Sequence, residues 1–223
     1  MPARSLDGVR LYLITGDRRG RDLERALAAA LGALPAGGAA VQVRAKALTT
    51  RELLDLTRRV VAAAEPHGAP VLVNDRLDVA LAAGADGVHL PEAGLSIADA
   101  RTAAGDAPIL VGRSTHSAAD AGRAADDGAD LVVVGPIFET PSKAAYGPPL
   151  GLSALRDAAS TVARAHRDRP RLFALGGITD RDRALACFDH GADGVATIRG
   201  VLDAADPARA AAALWGLSAG VPI

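Results

Sequence analysis

The chain has 223 residues, with 25 basic and 26 acidic side chains and a formal net charge of −1. This balance lacks the positive field of a non-specific nucleic-acid-binding protein, and an aromatic content of 3% leaves little for stacking on bases. The hydrophobic content of 49% and the length predict one globular domain over residues 1–223.

The first residues of the chain and the single cysteine indicate where the protein is located and what role the thiol has. The first ten residues contain no apolar targeting segment, and no run approaches the roughly 18 apolar residues of a membrane span. We therefore expect a cytoplasmic protein that binds neither membrane nor nucleic acid. Cys187 has no partner for an internal disulfide, and its position on a helical pattern predicts a buried structural thiol.

Short apolar segments alternate with helical patterns along the whole chain. Eight such strand–helix units predict a single (β/α)8 TIM barrel, with a last helix near 207–215. A doubly wound open sheet is the alternative, but its GxGxxG fingerprint is absent after the first strand. The predicted strands are 9–15, 40–44, 70–74, 87–90, 109–112, 131–135, 171–175 and 194–198.

A recurring phrase, Gly-Ala-Asp followed by an apolar strand, starts at Gly84, Gly128 and Gly191. Each copy follows an alanine-rich helical pattern. These glycines are therefore predicted to close helices in the left-handed conformation.

The second predicted strand carries Gln42 and Arg44, and Lys46 follows just beyond it, with the three residues spaced two apart. Residues at this spacing point to the same side of a strand. Two cations and an amide together indicate an anion site, most economically for a phosphate or diphosphate. An exposed basic strand end is the alternative.

The third strand ends in Asn74-Asp75-Arg76. Asp75 is a candidate helix cap. Opposite a diphosphate it is also a candidate Mg²⁺ ligand, because Mg²⁺ takes one or two carboxylates plus phosphate oxygens.

Two further polar positions follow in the next strands. His89 ends the fourth strand and is interpreted as a hydrogen-bonded wall residue. Ser114, after the fifth, is a candidate ligand or cap, and Ser117 resembles a helix N-cap. The five histidines show no zinc spacing.

The long segment 135–151 after the sixth strand is the first place to seek function, because strand-to-helix loops build the active face of a barrel. It contains Thr140, Ser142 and Lys143, whose ammonium could close over a leaving phosphate. Gly177 after the seventh strand, with Ile198 and Arg199 after the eighth, lies where such barrels often bind phosphate. Two anion sites are therefore expected on one face.

Together these residues resemble the thiamine-phosphate synthase family and its relative, the thiazole tautomerase, over residues 9–202. The similar parts are QVRAK, NDR, GVHL, GPIFETPSK and LGGIT followed by GADGV, in that order. The resemblance implies a transferase that joins an aminopyrimidine methyl diphosphate to thiazole phosphate and releases diphosphate. It also implies a TIM barrel that binds small-molecule substrates. A homodimer is a further expectation.

The resemblance also implies a role for each matching residue. Arg44 and Lys143 are the expected catalytic cations, and Asp75 is the expected Mg²⁺ ligand. The expected substrate-binding residues are Gln42, Lys46, Asn74 and Ser114 on the pyrimidine diphosphate, and Thr140, Ser142, Gly177, Ile198 and Arg199 around the thiazole phosphate.

Two departures from the family pattern keep alternatives open. Gly94 stands where synthases carry a second Mg²⁺ aspartate, with Glu92 as a nearby substitute, and Pro136 stands where a tautomerase has its histidine. The missing aspartate leaves a thiazole tautomerase and a non-catalytic thiazole-phosphate-binding protein as the alternatives to the transferase, whereas the missing histidine argues against the tautomerase.

Overall fold

Eight parallel strands close into one barrel in sequence order, and each is followed by a helix on the outside. This computed structural model describes residues 5–140, 148–165 and 169–216. The closure is made where Leu11 of the first strand pairs with Val195 of the last. The (β/α)8 prediction is confirmed, and the open sheet is wrong.

The element bounds follow the predicted order. The strands are β1 Leu11–Ile14, β2 Ala39–Val43, β3 Val71–Asn74, β4 Gly87–Leu90, β5 Leu110–Thr115, β6 Leu131–Val134, β7 Arg171–Leu175 and β8 Gly194–Thr197. The helices are α1 Gly20–Gly32, α2 Thr50–Ala64, α3 Leu77–Ala83, α4 Ile97–Ala104, α5 Ala118–Asp126, α6 Gly151–Val162, α7 Arg181–Asp189 and α8 Pro207–Trp215, and a 3-10 turn spans Glu65–His67.

The strands are largely buried on both faces, which explains why most of their residues are apolar. Alternate residues of β1 show the division: Leu11 and Leu13 pack outward against the helices, whereas Tyr12 and Ile14 fill the barrel interior. Phe173 meets Tyr12 edge-on, with ring centroids 5.9 Å apart. Few aromatic residues are needed because the interior is completed by small aliphatic side chains.

The Gly-Ala-Asp repeat has a common geometry. Its glycines have φ of 71°, 87° and 90°, which confirms the predicted left-handed helix ends. Each aspartate then makes a reciprocal pair with the preceding odd-numbered strand: its carboxylate accepts a backbone N–H, and its own N–H donates to the carbonyl of the same residue. The pairs are Asp86 with Val71, Asp130 with Val111 and Asp193 with Leu172, at 2.6–2.9 Å.

Two smaller predictions are also resolved. Cys187 is fully buried in α7, and burial raises the pKa of its thiol to about 12, as a structural role requires. Ser117 caps α5 by accepting the N–H of Asp120 at 3.1 Å, as predicted. In the described part of the chain, no helix has the length and apolar character needed to cross a membrane.

Candidate active site

The polar residues singled out from the sequence gather at the carboxyl ends of the strands. They form two pockets: a first pocket after β2 and β3, lined by Lys46, Asn74 and Asp75, and a second pocket after β6, β7 and β8, lined by Thr140 and the loops at 176–179 and 198–200. Helix N-termini face the same end of the barrel, which favours anions there.

The first pocket is a cavity of about 330 Å³. Lys46 is exposed on its rim, and the half-buried Arg44 lies one step deeper along the chain. Arg76 also lines the pocket, but its guanidinium is engaged by both carboxylate oxygens of Asp78, at 2.8 and 2.6 Å. Of the two cations among the described lining residues, Lys46 is therefore the one that is left for a ligand.

Asp75 has an unusual backbone. Among the described residues it is the only non-glycine with positive φ, at 63°. It is the middle residue of a three-residue γ-turn closed by the Arg76 N–H donating to the Asn74 carbonyl at 2.8 Å, and its own N–H donates to the His89 carbonyl at 2.9 Å. Helix α3 begins only at Leu77, with no side-chain cap. The capping alternative for Asp75 is wrong, and its strained backbone indicates a functional constraint.

Gly94 lies against Asp75. A Cβ on Gly94 would stand 3.1 Å from Asp75 Oδ1 and 2.9 Å from Pro91 Cδ. The position that the resemblance assigns to a second aspartate is therefore next to the first, but here it carries no carboxylate. The carboxylate of Glu92 is directed to His116, 3.8 Å from Nε2.

The donor set can be tested against Mg²⁺ on this geometry. The described residues contain no group of three or more histidine, cysteine or acidic side chains placed to hold a metal. A single carboxylate fits a Mg²⁺ ion that takes its other ligands from a diphosphate and water, as Mg²⁺ commonly does. It does not fit a metal held by protein alone.

A chain of polar side chains crosses the barrel interior beneath the pockets. Gln42 Nε2 donates to the Tyr12 hydroxyl at 3.3 Å, the hydroxyl meets His89 Nδ1 at 3.3 Å, and His89 Nε2 meets Ser114 Oγ at 2.9 Å. Strand β5 runs to Thr115, so Ser114 lies within the strand and not after it as predicted. Its Oγ is the last atom of this hydrogen-bonded series, at the end nearest the pockets.

The charge state of His89 follows from its surroundings. Burial, with smaller effects of the Arg113 and Arg44 charges, lowers the pKa of His89 to about 3, so the imidazole is neutral. Burial likewise raises the pKa of the Tyr12 phenol. The wall interpretation of His89 is thus confirmed, and Tyr12 is a site residue that the sequence reasoning missed.

The second pocket needs glycine at its centre. Gly177 has φ of 66°, and a Cβ there would stand 2.5 Å from the Glu139 carbonyl oxygen and 2.7 Å from Phe138 Cβ. The segment after β6 and the loop after β7 are therefore in direct backbone contact. Thr140 lines the pocket at the end of that segment.

Two arginines hold the loops of the second pocket from behind. Arg183 donates to the Gly177 carbonyl at 2.6 Å, and Arg18 donates to the Ile198 carbonyl at 3.2 Å. In a trans peptide the carbonyl and the following N–H point in opposite directions. The N–H groups of Ile178 and Arg199 therefore face away from these arginines, and among the described residues they have no acceptor. Free N–H groups at a pocket form an anion site.

The structure thus brings the predicted residues together in two groups and adds others. Neither Arg18 nor Arg183 stands out among many arginines in the sequence, so only the fold identifies them. Ser142 and Lys143 lie outside the described residues. The roles expected for the individual site residues stay predictions.

Comparisons with known proteins agree with the fold. A family model described as thiamine monophosphate synthase matches residues 11–201. A Geobacter sulfurreducens protein is 45% identical over 93% of this chain and 93% of its own. A Thermus thermophilus protein named thiamine-phosphate synthase is 40% identical and covers 92% of this chain and 95% of its own.

Among solved structures, thiamine phosphate pyrophosphorylase from Pyrococcus furiosus is similar with a TM-score of 0.77 and 31% identity, over 94% of this chain and 95% of that one. These similarities confirm the resemblance seen in the sequence, and the prediction of a synthase enzyme with it. The chain belongs to the thiamine monophosphate synthase family.

Proposed function

We propose that this protein is a Mg²⁺-dependent thiamine-phosphate synthase that joins an aminopyrimidine methyl diphosphate to thiazole phosphate and releases diphosphate. The observation that carries the proposal is the pair of anion pockets at one end of the barrel. One has a cation and a carboxylate, the other has free backbone N–H groups, and a reaction between two phosphorylated substrates needs both.

The first pocket suits the diphosphate. Lys46 in the pocket and the neighbouring Arg44 neutralise its charge, and Asn74 offers an amide. Asp75 would hold a Mg²⁺ ion that takes its other ligands from the diphosphate and water. The metal supplies charge neutralisation of the leaving group. Cationic stabilisation of a leaving group in a water-excluded site is commonly the largest contribution to catalysis of this kind.

The second pocket suits the phosphate of the thiazole. Its cavity of about 130 Å³ is small, which fits a phosphoryl group rather than a whole substrate. The N–H groups of Ile178 and Arg199 donate to the phosphate, with the Thr140 side chain beside them. Because Arg183 and Arg18 fix the carbonyls behind, these donors are oriented before the substrate arrives.

The reaction then needs little acid–base chemistry. The bond between the pyrimidine methylene carbon and the diphosphate oxygen breaks, and its electron pair leaves with the diphosphate. The thiazole nitrogen uses its lone pair to form the new bond to that carbon. The protein orients the two rings and stabilises the leaving charge, which accounts for a site rich in cations.

A turnover assay tests the proposal. Pure protein with both substrates and Mg²⁺ is expected to release diphosphate and form thiamine phosphate. Lys46→Ala should raise the KM for the pyrimidine diphosphate by about tenfold or more, the loss expected of one charge-assisted hydrogen bond. Arg164→Ala is the matched control, since Arg164 is exposed after α6 at the opposite end of the barrel. No turnover with excess Mg²⁺ would refute the proposal.

One observation favours a second candidate, the thiazole tautomerase. His116 Nδ1 donates to the Gly135 carbonyl at 2.5 Å, which leaves Nε2 without a proton in the neutral ring and 3.8 Å from Glu92. A bare imidazole nitrogen at the mouth can accept a proton. Accelerated tautomerisation of thiazole carboxylate phosphate without any pyrimidine, lost in His116→Ala, would support this activity. Binding of ligands with both assays blank would instead indicate the non-catalytic alternative.

The expected homodimer and cytoplasmic location stay predictions of this proposal. Light scattering on the purified protein measures the first, and cell fractionation measures the second.

A further inference from the structure

The interior hydrogen-bonded chain has a defined direction from donor to acceptor. It runs through Gln42, Tyr12, His89 and Ser114. An amide NH2 group can only donate, so the Tyr12 oxygen accepts from Gln42 Nε2. The Tyr12 hydroxyl proton is then free for its other neighbour, His89 Nδ1, 3.3 Å away. Because a buried hydroxyl proton without an acceptor is costly, we assign Nδ1 as the acceptor and place the proton of the neutral ring on Nε2.

That assignment fixes what Ser114 can do. Nε2–H donates to Ser114 Oγ at 2.9 Å, so this contact uses a lone pair of the hydroxyl and leaves its proton free. Ser114 is half-buried, whereas Tyr12 and His89 are 0% and 2% exposed. The free proton is at the end of the chain that is open to the mouth of the barrel.

The interior also favours a neutral ring on geometric grounds. His89 is enclosed by the barrel wall, and its ring packs closely against Gly112, where a Cβ would stand 2.6 Å from Nδ1. Both of its nitrogens already have partners. The charges of Arg113 and Arg44 oppose an imidazolium at this place.

We propose that Tyr12 and His89 are positioning residues that hold the Ser114 hydroxyl as a hydrogen-bond donor to an acceptor atom of the bound ring. The inference deepens the proposed function, on which its choice of substrate rests. A ring nitrogen with a free lone pair satisfies Ser114, and a ring with C–H or N–H at that point does not. The hydrogen-bonded series from Gln42 to Ser114 thus selects one orientation of the bound aminopyrimidine.

The direction of the chain can be measured without any turnover. In protein labelled with ¹⁵N-histidine, the nitrogen chemical shifts separate a protonated ring nitrogen from a bare one. His89 is expected to carry its proton on Nε2 at neutral pH. A proton on Nδ1 would reverse the direction and overturn the inference. This result holds whether or not the protein proves to be a synthase.

The kinetic test uses two variants that differ in one contact. Glutamine places its amide nitrogen near the position of Nε2, whereas asparagine places it near Nδ1. His89→Gln should keep the KM for the pyrimidine diphosphate within about threefold of wild type, and His89→Asn should raise it about tenfold, as Ser114→Ala does. In the double variant His89→Asn with Ser114→Ala, the KM for the pyrimidine diphosphate should rise no more than in either single variant.

A control separates positioning from packing. Phe173→Leu removes the other ring against Tyr12 without touching a polar atom. It should lower the melting temperature and leave the KM for the pyrimidine diphosphate unchanged. Equal impairment of His89→Gln and His89→Asn, or parallel rises in the KM of both substrates, would show that His89 is only a packing residue. A protein without turnover refutes the proposed function, and the ¹⁵N shifts still decide the direction of the chain.

Discussion

Replacing Gly177 with alanine tests how closely the second pocket is built. Gly177 has φ of 66°, and Gly84 has φ of 71°, so alanine suffers similar backbone strain at both positions, about 1–2 kcal/mol. A Cβ on Gly84 meets nothing within 4 Å, whereas one on Gly177 overlaps the Glu139 carbonyl at 2.5 Å. Overpacking of this kind costs a further 1–3 kcal/mol, roughly.

The two variants should therefore differ in stability and in binding. Gly84→Ala is expected to lose about 1–2 kcal/mol of unfolding free energy and Gly177→Ala about 2–5 kcal/mol. At this chain length each kcal/mol lowers the melting temperature by about 2–4 °C. Because the overlap is relieved by moving the loop that carries the Ile178 N–H, the KM for thiazole phosphate should rise about tenfold in Gly177→Ala only.

Thermal denaturation and initial-rate kinetics measure these effects. The KM for the pyrimidine diphosphate is the internal control, since the first pocket does not include Gly177. Equal melting temperatures for Gly177→Ala and Gly84→Ala, together with an unchanged KM for thiazole phosphate, would refute the close contact between the two loops.

Three further changes test other parts of the molecule. Asp130→Ala leaves the buried Val111 N–H without its acceptor and should cost about 1–3 kcal/mol in a urea titration, with kcat unchanged. Burial lowers the pKa of His89 to about 3, so below about pH 6.5 the unfolded chain binds a proton that the folded chain does not. Between pH 6.5 and pH 5 the free energy of unfolding should therefore fall about 1.5 kcal/mol more in wild type than in His89→Gln. Gly94→Asp places a second carboxylate beside Asp75 and should lower the Mg²⁺ concentration for half-maximal rate about tenfold, at some loss of melting temperature.

Each of these expectations has a contrary result. Unchanged urea stability in Asp130→Ala would show that water reaches the Val111 N–H and replaces the lost acceptor. Parallel acid profiles for wild type and His89→Gln would show that His89 titrates normally when folded. An unchanged Mg²⁺ requirement in Gly94→Asp would place the metal away from Asp75.

The sequence was most informative where one chemical cause dominates. Buried parallel strands require continuous apolar runs, so all eight were found, and the left-handed glycines at Gly84 and Gly128 were recognised from their helices. The end of β5 was placed too early because Arg113, Ser114 and Thr115 are polar. They still continue the strand, since barrel strands end among polar site residues.

The remaining site features depend on contacts between distant parts of the chain. Tyr12 lies 77 residues from His89, and Arg18 lies 180 from Ile198, so no local pattern links them. Asp75 is a candidate cap because aspartate is a common N-cap residue. The γ-turn that prevents capping is closed by backbone groups alone, so residue type does not reveal it. Such features follow from the closed barrel, not from residue type.

The reciprocal aspartate pairs have a consequence for how the molecule can change. Asp86, Asp130 and Asp193 join neighbouring strands at the end of the barrel opposite the two pockets. Substitutions at that end are expected to change the free energy of unfolding, and substitutions at the mouth are expected to change the kinetic constants. The residues that stabilise the fold and the residues proposed for catalysis therefore lie at opposite ends of the barrel axis. The loops at the mouth can be altered while the opposite end keeps the barrel closed.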